Sequence, residues 1–250
     1  MSAKNRQVCI FADEVEVINY LASTIQQSAN EVLQEPAVCF FIGGSAAKLV
    51  CEAVTKIQSD WSRWRVAFCD ERLVPSTHEE STYAAYAKYL QNSNPTLLNN
   101  FIKVDTSLPV DEAARDYEQK LHSLMSSEKG CSDLKWPHFD ILVLGVGEDG
   151  HTASLFPSHP LLDEASKWVA PISDSPKPPP SRVTLTLPAI WAAGKCIFPV
   201  IGGGKADILK RILCPGDGGE NLPVHRVMQS SKNTLWILDS KSAEKLEEFF

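Results

Sequence analysis

No apolar stretch in the sequence is long enough to span a bilayer, so no membrane-spanning helix is expected. Residues 1–6 contain no signal-peptide core, and residues 247–250 match no retention or peroxisomal signal. The expectation is a cytoplasmic protein. Seven cysteines are present, Cys9, Cys39, Cys51, Cys69, Cys131, Cys196 and Cys214, but no C-x-x-C pair and no His/Cys spacing that suits zinc. They read as reduced thiols packed with apolar neighbours. There is no excess of basic residues either: the formal net charge is −7. That argues against nucleic acid as the main partner, and an anionic substrate then needs a local basic pocket. Repeats, long linkers and composition breaks are lacking. With 250 residues, 44 % hydrophobic and 22 % charged, the chain reads as one globular domain over residues 1–250.

Strand-like and helix-like segments alternate along the sequence. Short apolar runs at residues 7–11, 37–42, 65–69, 101–104, 139–144, 168–172, 182–186, 195–201 and 234–238 read as strands. Asp13 is expected to cap a helix to about residue 34, with Val15, Ile18, Ala22, Ile25, Ala29 and Val32 on one stripe. Further helices are expected up to residue 57, over 79–91 and 110–126, up to 213, and from a Ser240 cap onward. Residues 214–221 read as a glycine-rich loop, and the prolines of Ser175-Pro176-Lys177-Pro178-Pro179-Pro180 as an extended one. This alternation implies an α/β fold with a doubly wound, mostly parallel sheet and helices on both faces.

Such sheets bind ligands beyond the carboxyl ends of their strands. Special residues fall at five places that the reading puts there: Gly43-Gly44-Ser45, Asp70-Glu71-Arg72, the segment 145–151, Arg182, and Gly202-Gly203-Gly204-Lys205. The richest is Gly145-Val146-Gly147-Glu148-Asp149-Gly150-His151, where three glycines release the strand into two carboxylates and a histidine. It matches G-x-G-x-x-G, but Pro157 leaves no room for the long helix that a dinucleotide site requires. Gly202 to Lys205 is no P-loop either, because Pro199 and Ala206 stand where glycine and Ser/Thr are needed. Gly43, Gly44 and Ser45 could hold a phosphate at a helix start, or form an ordinary capped turn. Lys205 at another helix start is unfavourable to that helix unless an anion binds there. Arg72 and Arg182 each suit a phosphate, a carboxylate or a structural ion pair. His151, expected at a helix start beside Glu148 and Asp149, suits a general base. His78, His122, His138, His159 and His225 lack such a setting.

At these residues the chain resembles the 6-phosphogluconolactonases over nearly its full length. Residues 145–157 are similar to the signature G-x-G-x-D-G-H-T-A-S-L-F-P. Asp70 to Pro75 is similar to D-E-R-x-V-P, and Ser81-Thr82-Tyr83 to an S-N-Y, with Thr82 replacing Asn. Gly43-Gly44-Ser45 resembles the first phosphate loop, and Pro178 to Leu185 a P-P-x-x-R-x-T-L stretch. The resemblance implies the Rossmann-like fold shared with glucosamine-6-phosphate deaminases and ribose-5-phosphate isomerases. It also implies hydrolysis of 6-phospho-D-glucono-1,5-lactone in the pentose phosphate pathway, and a functional link to glucose-6-phosphate dehydrogenase.

On this reading Ser45, the neighbouring amides and Lys205 hold the phosphate with help from Arg182, and His151 activates water. Arg72 or backbone N–H groups receive the oxyanion, and Asp70, Glu148 or Asp149 orients the imidazole or binds sugar hydroxyls. No metal or cofactor is expected, since a lactone is already a reactive ester. The competing readings are a deaminase or isomerase of amino-sugar phosphates and a non-catalytic sugar-phosphate sensor. The deaminases usually carry an acidic residue before the proline, where this chain has Ser154-Leu155-Phe156.

Overall fold

A computed structural model describes residues 5–32, 38–42, 46–129, 134–214, 216 and 218–246. Ten strands form among these residues, the apolar runs giving all but the charged β4: β1 (Asn5–Phe11), β2 (Val38–Ile42), β3 (Trp64–Phe68), β4 (Asp70–Arg72), β5 (Phe101–Ile102), β6 (Ile141–Val143), β7 (Val169–Ile172), β8 (Arg182–Leu185), β9 (Lys195–Val200) and β10 (Asn233–Asp239). Between them lie eight helices: α1 (Glu14–Val32), α2 (Ala47–Val54), α3 (Thr82–Ser93), α4 (Pro95–Asn99), α5 (Val110–Lys129), α6 (Leu187–Trp191), α7 (Ala206–Leu213) and α8 (Pro223–Ser230).

Seven strands form one sheet in the order β1-β10-β9-β6-β2-β3-β5, and every pairing in it is parallel. Side chains alternate across it, as the pleat demands. Ile141, Val143, Ile197, Leu235 and Ile237 enter the core under α1–α4, while Leu142, Phe198 and Trp236 enter the core under α5–α8. Both faces are therefore covered, which is why these strands read as continuous apolar runs. The chain leaves β2 outward through β3 to β5, then restarts at β6 and runs the other way through β9 to β10. The reversal falls between β2 and β6, and a crevice at their carboxyl ends follows from it.

One departure from the expected single sheet shapes the site. Residues 70–72, 169–172 and 182–185 do not join the parallel sheet; they form a separate antiparallel sheet, β4-β8-β7. The jump from β3 to β4 occurs at Phe68 and Cys69. The Tyr117 hydroxyl accepts the Phe68 N–H at 2.6 Å and donates to the Phe68 carbonyl at 3.0 Å, while Cys69 O receives the Leu185 N–H at 2.7 Å. Those bonds satisfy backbone groups that would otherwise be orphaned where the strand changes sheets. The proline-rich loop supplies the return from β7 to β8 that antiparallel pairing permits.

Helix α8 was not foreseen. Its signal is Pro223 at the first turn followed by Val224, Val227 and Met228, all buried at helical spacing, hidden behind the glycine-rich loop. No helix forms over residues 240–246, which are turns. Ser240 donates to Ala12 O instead of capping, and Asp239 takes the cap-like role by accepting from Ser242 N at 2.8 Å. Asp13 does cap α1, through Glu16 N at 3.0 Å.

Candidate active site

The carboxyl rim brings together the segments after β3, β6 and β9. Gly43, Gly44 and Ser45, which follow β2, lie outside the described residues. After β6 the backbone closes a small loop: Gly150 N donates to Gly147 O and Gly147 N to His151 O, both at 2.9 Å. Gly150 sits at φ 83, a left-handed conformation that favours glycine. Gly147 is needed for space. A β-carbon there would overlap the imidazole of His151 and lie 2.6 Å from Asp149 Oδ1. Beyond His151 the chain makes a tight turn in which Leu155 N donates to Thr152 O, with Ala153 left-handed at φ 49. The helix expected to start at His151 does not exist. Helix-dipole effects on the imidazole therefore fall away.

His151 is mostly buried, its ring tilted against that of Phe156 with centroids 4.8 Å apart, and its Nδ1 lies 2.5 Å from Asp149 Oδ1. Asp149, not Glu148, meets the imidazole; Glu148 is exposed. Lys177, which the sequence reading left in a passive loop, places Nζ 3.2 Å from Asp149 Oδ1 and 3.5 Å from His151 Nδ1. The signal available for it was a lysine held among prolines five residues before Arg182, where the chain has little freedom to turn the charge away. Asp149 accepts from Nδ1–H and the ammonium donates to Asp149, which leaves the imidazole lone pair on Nε2.

Burial pushes the His151 pKa down and the Lys177 charge adds to that, while the hydrogen bond and charge of Asp149 and the charge of Asp70 oppose it; the net shift is downward. Partial burial pushes the Asp149 carboxyl up, but the bond and charge from His151 and the Lys177 ammonium outweigh it and hold it below its usual value. The neutral imidazole therefore persists to more acidic pH than in a free histidine. The acid limb of kcat/KM is expected to have its midpoint below the ordinary imidazole value of 6.5. Lys177→Met should raise that midpoint, because a cation that disfavours imidazolium is gone. A pH profile from 5 to 7.5, about two units around the titration, checks this; an unmoved limb would show that Lys177 does not act on the imidazole.

Asp70 and Arg182 are buried and meet through Ser154, a residue with no role in the sequence reading. Ser154 Oγ donates to Asp70 Oδ2 at 2.7 Å, and Arg182 Nη1 donates to Ser154 Oγ at 3.4 Å. This ties the β6 loop to the small sheet. Arg182 opens β8 rather than ending a strand of the parallel sheet. Its Nε donates to Pro179 O at 3.0 Å, and Nη2 to Lys177 O at 2.9 Å and Pro178 O at 3.0 Å. Four of its five N–H donors are thus directed to protein acceptors. The guanidinium fixes the loop that carries Lys177.

Glu71 is also structural. Its buried carboxylate accepts from the N–H groups of Arg72 at 2.8 Å, Thr82 at 2.7 Å and Tyr83 at 2.9 Å, capping α3 beside Ser81. Burial raises its pKa while these bonds pull the other way. Thr82 serves this cap through its backbone, so replacement of Asn there leaves the cap intact. Arg72 pairs with Glu80, its Nη1 lying 2.9 Å from the carbonyl and 3.2 Å from the carboxylate. Only Nη1 is engaged there; Nε has no protein hydrogen-bond partner.

Lys205 sits at the entrance to α7, on the rim beside the β6 loop because β9 and β6 are neighbours. Gly202, at φ 88, starts the loop, and its N–H is held by the Asp239 carboxylate at 3.0 and 3.1 Å. A β-carbon at Gly204 would meet nothing within 4 Å, so the space over this loop is open. Among the described residues, no carboxylate pairs with the Lys205 ammonium.

A parallel sheet with a histidine–aspartate pair and a lysine at its reversal point defines an α/β enzyme built for acid–base work on a small anionic substrate. The chain belongs to the family of glucosamine-6-phosphate isomerases/6-phosphogluconolactonase, which it matches over residues 12–236. It is similar to the 6-phosphogluconolactonase of Bos taurus, 43 % identical over 96 % of this chain and 94 % of the relative. The Homo sapiens 6-phosphogluconolactonase is likewise 43 % identical, over 96 % of this chain and 93 % of its own. Among solved structures, the 6-phosphogluconolactonase from Trypanosoma cruzi superposes with a TM-score of 0.77 at 26 % identity, covering 98 % of each chain.

Proposed function

We propose that this chain hydrolyses 6-phospho-D-glucono-1,5-lactone to 6-phospho-D-gluconate, with His151 as the general base. The observation that carries the assignment of the base is the hold of Asp149 on Nδ1, which presents a neutral Nε2 at the rim. Water bound at Nε2 gives up a proton as its oxygen bonds to C1. The carbonyl oxygen becomes an oxyanion, which needs donors on the Nε2 side of the ring, from Arg72 or from backbone N–H groups of the β6 loop other than those of Gly147 and Gly150. The C1–ring oxygen bond then breaks, and the proton on His151 passes to that oxygen as it leaves as a hydroxyl. The new carboxylic acid ionises and releases one proton to solvent. Asp149 orients the imidazole, and Asp70, fixed to Ser154, steadies the turn behind it.

The phosphate end is assigned to Lys205 and the α7 N-terminus. The segment before Pro157 carries buried Leu155 and Phe156 rather than a carboxylate, which favours the lactonase over an amino-sugar phosphate deaminase. The substrate class is supplied by oxidation at C1 of a phosphorylated cyclic sugar, the chemistry of a glucose-6-phosphate dehydrogenase. The free thiols of Cys9, Cys51, Cys69, Cys196 and Cys214 suit a cytoplasmic setting. No described helix is long and apolar enough to cross a membrane.

A pH-stat assay on freshly made 6-phosphogluconolactone, with spontaneous opening subtracted, tests the reading; turnover of glucosamine 6-phosphate and not of the lactone would replace it with the deaminase. Lys205→Ala should raise KM and leave kcat near normal, because a remote phosphate contact is made equally in ground and transition states. An unchanged KM would place the phosphate elsewhere.

A further inference from the structure

The opposite rim of the sheet holds a second polar cavity, remote from His151. Asn5, Lys195 and Asn233 are the first residues of β1, β9 and β10, and they meet beneath α1. The cavity between them has a volume of about 420 Å³ and is lined also by Gln7, Thr24, Gln27 and Thr234. Ligand pockets begin at about 300 Å³, so a small organic acid has room.

Three features give the cavity a chemistry. Among the described residues, no Asp or Glu lines it. The Lys195 ammonium, half-buried, donates to the neutral Ser28 hydroxyl at 3.1 Å, and no carboxylate pairs with it among the described residues. Thr234 is 2 % exposed, and its Oγ1 is buried without a protein hydrogen-bond partner although the residue lines the cavity. A buried hydroxyl left unpaired is costly, and so is a shielded cation met only by neutral groups. A bound anion relieves both. Asn233 adds an acceptor, because its Nδ2 is committed to Gly194 O at 2.8 Å and its Oδ1 remains.

We propose that this cavity binds a small hydroxylated anion, its charged end on Lys195 and Thr234 and a hydroxyl on Asn233. Strand β9 runs from this cavity to the Gly202–Lys205 loop, so the two sites lie about 20 Å apart, six residues at roughly 3.3 Å each. They cannot share one small ligand.

The test is an NMR titration of the ¹⁵N-labelled protein, separately with gluconate and with inorganic phosphate. Saturable shifts are expected at residues 5–7, 24–28, 195 and 233–235. Lys195→Met and Thr234→Val should each weaken that saturation at least about tenfold, the loss of one hydrogen bond to a charged group, while keeping wild-type activity and melting temperature. Saturation by gluconate alone assigns the charged end as a carboxylate, and saturation by phosphate as a phosphoryl group. A cavity that holds only water gives saturable shifts with neither probe, and that result overturns the proposal. So do shifts confined to residues 145–151, or affinities unchanged in both variants.

Discussion

His151→Ala should lower kcat by about 10²–10⁴-fold, the usual contribution of a positioned general base. That corresponds to about 3–5 kcal/mol of barrier. Folding should survive, because the ring touches little besides Phe156, Asp149 and Lys177, and the loop is closed by backbone bonds that the substitution leaves in place. Paired measurements of lactone turnover and thermal melting check this. A melting temperature near that of the parent with turnover reduced as stated supports the base. Near-normal turnover would remove His151 from the chemistry. Added imidazole offers a second readout, since the space left beside Phe156 can admit the free base and recover part of the rate.

The second large effect is expected from adding one methyl group. In Gly147→Ala the new carbon falls on the imidazole itself and 2.6 Å from Asp149 Oδ1. Backbone strain is not the cause, because Gly147, unlike Gly150, is not left-handed. Either the ring swings away or the loop shifts, and the Asp149–His151 geometry is lost in both cases. A misplacement of about 1 Å can cost about 10²-fold in rate, and overpacking costs about 1–3 kcal/mol in stability. Activity should therefore fall by about two orders of magnitude or more while the protein still folds. A crystal structure of the variant should show the ring displaced. Full activity in Gly147→Ala would mean that the ring position seen here is not the working one.

Much of this was legible in the sequence, for identifiable reasons. Strands buried on both faces announce themselves as apolar runs, and glycines at their ends mark the rim. The small antiparallel sheet was not legible: residues 169–172 and 182–185 carry no pattern that separates them from strands of the main sheet, and the charged Asp70-Glu71-Arg72 reads as the end of a strand rather than as one. Its existence depends on Tyr117, 49 residues from the Phe68 backbone groups that it binds. The site divides in the same way. His151, Asp149 and Lys205 could be picked out because glycines surround the first two and a glycine-rich helix start carries the third. Ser154 could not and Lys177 only weakly, because their roles come from partners distant in sequence: Ser154 meets Asp70 across 84 residues and Lys177 meets His151 across 26. Glu71 and Arg182 drew attention through their charge, yet each spends that charge chiefly on backbone groups of the protein.

The strand order has a consequence for how the chain is made. Strand β1 pairs with β10 and, among the described residues, with no other strand. Translation proceeds at about 5–20 residues per second, so the first strand to leave the ribosome waits on the order of ten seconds or more for its partner. In that interval the sheet assembled from β2, β3, β5, β6 and β9 offers an open flank along β9. A ribosome stalled ahead of residue 233 would hold a nascent chain with that flank unpaired, a natural target for a chaperone and a hazard without one.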